Sequence, residues 1–277
     1  MNKRAAFVTV VAAVVLAAGT AIAAAAASGH ASTPKPSVAV VLSPESMATV
    51  ETVDGDPLPV REYELFLARD RAETFAYFQQ HYGVADSANF WTTAHGGETP
   101  SDHLKHAALA DATNALVQQE LAVKYGVVSG FTYAGFLTAW QNQNASRAAA
   151  VAAHQVIYGP TSYSESDYFT YVSEQMAQQL RIVLPDKGVI KVTDAELEDY
   201  YNAHKSQFLT GGSAEQSVGS PRVAGPPAPS TVAGFAQLKP VIEQYYVQAA
   251  YTALVAEQTQ RAAVHGDQSV LAAIAID

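Results

Sequence analysis

The chain has 277 residues, a formal net charge of −10 at pH 7 and no cysteine. Its length can hold one sizeable core or two small ones, and an apolar content of 49% excludes global disorder. The acidic balance argues against nucleic acid and anionic lipid as partners. The lack of cysteine excludes disulfide bonds, thiol nucleophiles and a lipid-modified cysteine.

The N-terminus has the form of an export signal. Lys3 and Arg4 provide a basic start, residues 5–27 form an uncharged apolar run, and small residues near its end offer cleavage sites. We expect residues 1–31 to be a signal peptide and residues 32–47 to be a spacer. Removal of the two basic residues takes the net charge from −10 to −12. The alternative is an uncleaved membrane anchor, since the apolar run is long enough to span a bilayer. In either case the body lies outside the cytoplasm, in the cell envelope or secreted.

A β-hairpin and a long helix are predicted next. Residues 48–60 contain two short β-prone runs around Asp54 and Gly55, and Asp-Gly between such runs is a hairpin signal. The first helix is expected over residues 60–82, and Gly83 is suited to end it.

Two further helices are predicted from capping and periodicity. Thr99, Pro100 and Asp102 give a cap, a proline in the first turn and an acidic third residue, so a helix should run to residue 125. Another is expected over residues 131–151. The positions expected to be buried in these first three helices are Tyr63, Phe66, Leu67, Thr74, Tyr77, Phe78, Ala108, Leu109, Ala112, Ala115, Leu116, Val123, Tyr133, Phe136, Leu137, Trp140, Ala148 and Val151.

The next segment contains two more capped helices. Ser164 and Asp167 occupy capping positions of the fourth helix, and residues 189–192 form a short β-prone run. Thr193 and Glu196 have the spacing of a capping box, so the fifth helix should open there. Its aromatic face, repeating at three and four, consists of Leu197, Tyr200, Tyr201, His204 and Phe208.

The chain ends with a linker and one more helix. Residues 209–231 are rich in glycine, serine and proline, which is the composition of a flexible linker. Residues 235–263 have helical periodicity, with Pro240 tolerable only near the start. The predicted buried stripe of this helix is Ile242, Tyr245, Ala249, Ala253 and Ala256.

The order of these elements resembles the SurA/PrsA-like family of exported foldases and chaperones. Residues 192–208 look like the helix that precedes the isomerase domain of that family, and residues 107–127 look like its long core helix with a Lys-x-Gly end. The resemblance implies a mainly α fold, similar to the SurA N-terminal and trigger-factor C-terminal chaperone domains. Residues 48–208 would form the helical domain with a small N-terminal hairpin. Residues 232–277 would return as a C-terminal helix packing on the N-terminal helices.

The parvulin peptidyl-prolyl isomerase domain of the family is missing from its expected place. Its His-Ile-Leu-type start and Gly-Tyr-His-type end do not occur, and residues 209–231 are too few for a four-stranded domain. We therefore predict no catalytic residues and no enzymatic activity. A degenerate or partner-assisted isomerase remains the alternative.

The sequence also contains no complete motif for a zinc site, a catalytic nucleophile or a phosphate-binding loop. His103 and His106 are spaced i, i+3 on a helix, but zinc sites need further ligands at defined spacing, and no H-E-x-x-H occurs. No G-x-S-x-G nucleophile motif is found, and Gly211-Gly212-Ser213 lacks the context of a phosphate loop. We expect neither a metal nor a cofactor.

Fourteen tyrosines remain as the candidate for binding. A tyrosine ring can cover apolar client surface while its hydroxyl bonds to backbone. We predict an ATP-independent, chaperone-like protein that holds unfolded or extended polypeptide in an apolar, Tyr-rich groove. A cell-envelope module that binds one folded partner is the third possibility. The predicted client-binding residues are Tyr163, Tyr168, Tyr171, Tyr200, Tyr201, Tyr245 and Tyr246.

Overall fold

The predicted N-terminal hairpin is present in the computed structural model, which describes residues 42–210, 231–232 and 234–276. Asp54 and Gly55 form its two-residue turn with φ angles of 49° and 99°, as a type I′ turn requires. The described elements are, in chain order, β1 (Thr49–Val53), β2 (Asp56–Pro59), α1 (Val60–Tyr82), α2 (Pro100–Lys124), α3 (Tyr133–Ala152), α4 (Glu165–Asp186), α5 (Asp194–Ala203), β3 (Leu209–Thr210), β4 (Thr231–Val232), α6 (Phe235–Arg261), β5 (Val264–Gly266) and α7 (Gln268–Ala273).

The N-terminal sheet has a third strand that the sequence did not indicate. β5 pairs antiparallel with β1, so the strand order is β2-β1-β5. Residues 232–277 were expected to form one C-terminal helix, and no separate element was predicted after residue 263. Instead, residues 264–276 form β5 and α7, because the β1 edge supplies hydrogen-bond partners for a chain that leaves α6 beside it.

Helices α1 and α2 pack along each other and carry the centre of the core. Gly83 ends α1 in the left-handed conformation, at φ 66°, and Thr99 Oγ1 caps α2 by accepting a hydrogen bond from the Asp102 N–H at 3.0 Å. The buried Tyr63 hydroxyl donates to the Lys105 carbonyl at 2.8 Å and ties the two helices together. The mainly helical fold with a small N-terminal sheet is therefore confirmed.

Helix α6 returns to the N-terminal helices, where it packs on α2 and α4 and also on α5. Tyr251 Oη donates to Gln118 Oε1 of α2 at 2.6 Å. Leu197, Tyr201, Phe208 and Ile242 form a separate small core between α5 and α6. The backbones of β3 and β4 pair just before α6 begins, so residues 209–210 lie beside residues 231–232.

The predicted stripe of α6 is wrong except at Ile242. Tyr245 is 53% exposed, and the three predicted alanines are also exposed. The residues that are buried instead, Val247, Tyr251 and Val255, are larger and remove more apolar area from water. Alanine carries too little hydrophobic contrast to identify a helix face.

Three local predictions in other parts of the chain are wrong. Ala148 and Val151 are exposed, because the second half of α3 extends beyond the core that buries Tyr133 and Phe136. Residues 189–192 form no strand; they follow α4 as a turn in which the Val189 N–H bonds to the Leu184 carbonyl at 2.9 Å. Helix α5 ends at Ala203, and a short 3₁₀ turn carries the chain on to Phe208.

The expected signal peptide, residues 1–31, lies outside the described residues, as does most of the spacer. The centre of the expected linker, residues 211–230, also lies outside them. Among the described helices, none combines the length and apolar character needed to cross a membrane.

The capping box at Thr193 is confirmed and yields a first prediction. Thr193 Oγ1 accepts from the Glu196 N–H, and the Glu196 carboxylate accepts from the Thr193 N–H at 3.0 Å. Thr193→Ala should lower the free energy of unfolding by about 1 kcal/mol in urea denaturation, because one helix-end donor loses its partner. Thr252→Ala, in the interior of α6, is the matched control and should change stability by less than half as much. Equal losses in the two variants would contradict the capping role.

Candidate functional site

A cleft lies between the hairpin, the start of α1, the second half of α2 and the loop that leads into α3. Its volume is about 530 Å³, within the range of sites that hold a small ligand or several side chains, and it is open to solvent. Its lining residues are Met47, Thr49, Asp56, Pro57, Pro59, Glu62, Leu116, Gln119, Glu120, Val123, Lys124, Gly130, Phe131, Thr132, Tyr133 and Ala134.

The walls of this cleft present apolar side chains to solvent. Met47 contributes from the segment before β1, and Phe131 from the loop before α3. Val123 of α2 was predicted to be buried but is 41% exposed. Its neighbours Leu121 and Ala122 are buried in the core, so Val123 lies on the outward face of α2, which borders the cleft instead of another helix. An exposed apolar wall inside a concavity is a common mark of a binding surface.

Strand β2 borders the same cleft at the edge of the sheet. Pro57 and Pro59 are both on this strand, and proline has no N–H to donate. An added strand therefore loses two of its potential hydrogen bonds here, which is how natural sheets protect their edges. We therefore expect a ligand in this cleft to be recognised through side-chain contacts and not through pairing with the β2 backbone.

The floor of the cleft carries polar atoms that are buried without partners. Glu62, in the first turn of α1, is only 2% exposed, and its Oε1 has no hydrogen-bond partner among the described residues. Gln119 of α2 is also buried, and its Nε2 is likewise unpaired within the described chain. Burial raises the pKa of Glu62 to about 7, and the nearby Gln119 amide opposes part of this rise although no hydrogen bond of ordinary geometry joins the two side chains. A buried carboxylate with one oxygen left without a hydrogen bond is costly for the folded state, which is why such groups often mark functional sites.

A second carboxylate lies next along α2. Burial, together with the neighbouring acids Asp54 and Asp56 of the hairpin, raises the pKa of Glu120 to about 7. Its Oε1 also lacks a hydrogen-bond partner in the part of the chain that the structure describes. Two carboxylates thus titrate near neutral pH in one cleft.

A network of charged groups positions the wall formed by Tyr133. Its hydroxyl donates to Glu165 at the start of α4, and Arg61 donates to the same carboxylate through Nη2 at 2.6 Å and Nε at 3.1 Å. Arg61 also pairs with Glu45. Burial raises the pKa of Glu165, but the hydrogen bonds from Arg61 and Tyr133 outweigh it and hold that pKa below its ordinary value. The network joins α1, α3 and α4 behind the cleft.

Three of the predicted client-binding tyrosines form a cluster at the start of α4. The Tyr163 ring lies 5.7 Å from that of Tyr168 and 5.8 Å from that of Tyr171. Tyr168 is buried and Tyr163 is half-buried, whereas Tyr171 is exposed. Tyr171, which is 45% exposed, is therefore the member of this cluster that is most open to a partner.

The other four lie on the α5–α6 side. Tyr200 and Tyr246 are in edge contact at 5.9 Å, and the Tyr246 hydroxyl donates to the Lys191 carbonyl. Tyr201 is buried in the small α5–α6 core, and Tyr245 is exposed. The structure therefore separates the seven tyrosines into two groups, and none of them is among the lining residues of the cleft described above. Client binding by these tyrosines stays a prediction.

The histidine pair of α2 has an aromatic environment. His103 stacks on Tyr77 with 4.4 Å between ring centres, and its Nδ1 lies 3.1 Å from the Glu98 carboxylate. His106 lies 3.7 Å from the other oxygen of Glu98. In the described ranges no group of three or more histidine, cysteine, aspartate or glutamate side chains is arranged to hold a metal ion.

The cleft residues were missed by sequence reasoning, although one signal was available. Glu62 lies four residues before the core residue Phe66, and Asp70 four residues after it, so two acids lie on the apolar face of α1. Both are buried. An acid on a buried helical stripe is the feature to examine first.

Comparison with known proteins adds no relative. No protein-family model matches the chain, and neither a curated protein nor a solved structure shows significant similarity to it. The chemistry of the cleft is therefore the basis for a functional assignment.

Proposed function

We propose that this protein is an exported, ATP-independent chaperone-type protein that holds extended polypeptide segments in the cleft between the hairpin, α1, α2 and α3. The observation that carries the proposal is the combination of an exposed apolar wall, at Met47 and Val123, with unpaired polar atoms on the floor, at Glu62 and Gln119. Non-native chains present apolar side chains and unpaired amides together, so both halves of this surface find partners in them.

Affinity should be moderate. Burial of apolar surface contributes about 25 cal/mol per Å², and ordering of a flexible client offsets part of that gain. A site that holds without ATP must also release by dissociation alone, which suits a micromolar dissociation constant. The resemblance to the SurA/PrsA-like family supports the same function, and so does the return of α6 to the N-terminal helices.

The first test is suppression of aggregation. The purified full chain should delay light scattering by chemically denatured citrate synthase on dilution, and Val123→Asn should weaken the effect several-fold because it places an amide on the apolar wall. Val151→Asn is the matched control: Val151 is 44% exposed on α3, against 41% for Val123, but lies outside the cleft. This control should behave like the unmodified protein.

Two outcomes would contradict the proposal. Equal loss in both variants would show that any exposed valine matters, and no suppression by the unmodified protein would remove the chaperone assignment altogether. A refolding assay limited by proline isomerisation separates the isomerase alternative, since a holding protein leaves the slow phase unchanged whereas an isomerase accelerates it.

A further inference from the structure

The cleft has an excess of negative charge. Among its lining residues Asp56, Glu62 and Glu120 carry carboxylates, whereas Lys124 carries the one basic group of the described lining. The Lys124 ammonium lies over the Tyr125 ring, 5.5 Å from its centre. The cleft thus combines apolar walls with acidic groups, a pairing that suits a ligand with a cation on an apolar stem.

Glu62 is the strongest single indication of what that ligand is. It is 2% exposed and lines the open cleft, and one of its oxygens is unpaired among the described residues. A neighbouring cation would remove this cost, because an ion pair with hydrogen bonds compensates a buried charge. The raised pKa of Glu62 has the same origin: burial disfavours the charged form until a positive partner arrives.

The protein's own nearby guanidinium does not supply that partner. Arg61 precedes Glu62 in the chain, but its Nη1 pairs with Glu45, and its Nη2 and Nε pair with Glu165. These contacts hold Arg61 in the network behind Tyr133. The cleft carboxylates remain available to a cation from outside.

From this geometry we infer that the cleft selects polypeptide segments in which a lysine or arginine is flanked by apolar residues, with the cation on Glu62 and the flanking side chains on the wall of Met47 and Val123. This inference rests on the proposed function and specifies its substrate class. The aliphatic part of a lysine or arginine side chain is apolar, so it can contact the apolar wall of the cleft while its charged group reaches Glu62.

Two ten-residue peptides test the selection. Both have small and apolar residues throughout, and they differ only at one central position, which is lysine in one and norleucine in the other. Fluorescence anisotropy with the full chain should show about tenfold tighter binding of the lysine peptide, since a hydrogen bond to a charged group is worth about one decade or more. In Glu62→Gln the two peptides should bind with similar affinity. Glu174→Gln, on the exposed surface of α4, is the matched control and should keep the tenfold preference.

The possible outcomes distinguish failure of the cation selection from failure of polypeptide binding. Equal binding of both peptides by the unmodified protein would overturn the cation selection while leaving polypeptide binding intact, and binding of neither would overturn the proposed function itself. Unchanged preference in Glu62→Gln would also overturn the assignment of the cation to that residue. Tight binding of n-pentylamine, at the affinity of the lysine peptide, would show that the site takes a free amine and not a segment.

Discussion

Replacement of Glu62 by glutamine is expected to stabilise the protein by about 3 kcal/mol at pH 8 and by much less at pH 5. The glutamine has nearly the same shape but carries no charge, so it avoids the desolvation that raises the pKa of Glu62 from 4.5 to about 7. A surface substitution away from such a site usually changes the free energy of unfolding by less than about 0.5 kcal/mol.

The pH dependence follows from the direction of the shift. The unfolded chain releases the Glu62 proton near its ordinary pKa, and the folded chain releases it near 7. Between those values the folded state binds more protons, so the stability of the unmodified protein falls as the pH rises through this window. The glutamine variant has no such loss, and the difference between the two proteins grows from pH 5 to pH 8.

Urea denaturation at pH 5, 6, 7 and 8 measures this difference directly. Glu174→Gln serves as the control, because Glu174 is exposed on α4 and its replacement should show no comparable trend. A Glu62→Gln protein less stable than the unmodified one at pH 8 would mean that the carboxylate is paired in solution. It would also remove the main support for cation binding in the cleft.

Replacement of Glu165 by alanine is expected to cost about 3 kcal/mol of unfolding free energy at pH 7. Arg61 and Tyr133 both donate to this largely buried carboxylate, and its loss removes their shared acceptor, leaving Arg61 with its contact to the exposed Glu45. Because Tyr133 forms part of the cleft wall, peptide binding should weaken in the same variant.

A pair on the surface provides the control for this prediction. Glu257 and Arg261 form an i, i+4 ion pair on α6, and both side chains are more than half exposed. Glu257→Ala should therefore cost no more than about 0.5 kcal/mol. The pKa of Glu165 is lowered in the folded state, so its contribution is present above its ordinary pKa of 4.5 and disappears as the pH falls through the folded value. Equal costs for the two variants at pH 7, or a Glu165 effect that persists at low pH, would contradict the network.

The elements that sequence reasoning predicted correctly are those with local causes. Asp54-Gly55 adopts a turn that few other residue pairs tolerate, and the Thr193 capping box satisfies helix-end donors within four residues. The buried face predicted for α6 was wrong for the opposite reason. Which face of an alanine-rich helix is buried depends on the neighbours, and α2, α4 and α5 select the face of Val247 and Tyr251.

The cleft could not be predicted because it has no local signature. Met47, Glu62, Val123 and Phe131 come from four separate segments, and they line one cleft only in the folded chain. Periodicity marked Val123 as a core residue, but only the packing around α2 shows that its face borders a concavity, while the adjacent Leu121 and Ala122 face the core.

The pairing of β3 with β4 has a consequence for protein engineering. Since those two strands bring residues 210 and 231 side by side, whatever joins them begins and ends at neighbouring points of the scaffold. Closing a chain loop between fixed neighbouring points becomes only slowly more expensive with length, about 0.6 kcal/mol for each doubling. This junction is therefore a suitable place to graft a folded reporter whose own termini are adjacent, without disturbing the helices on either side.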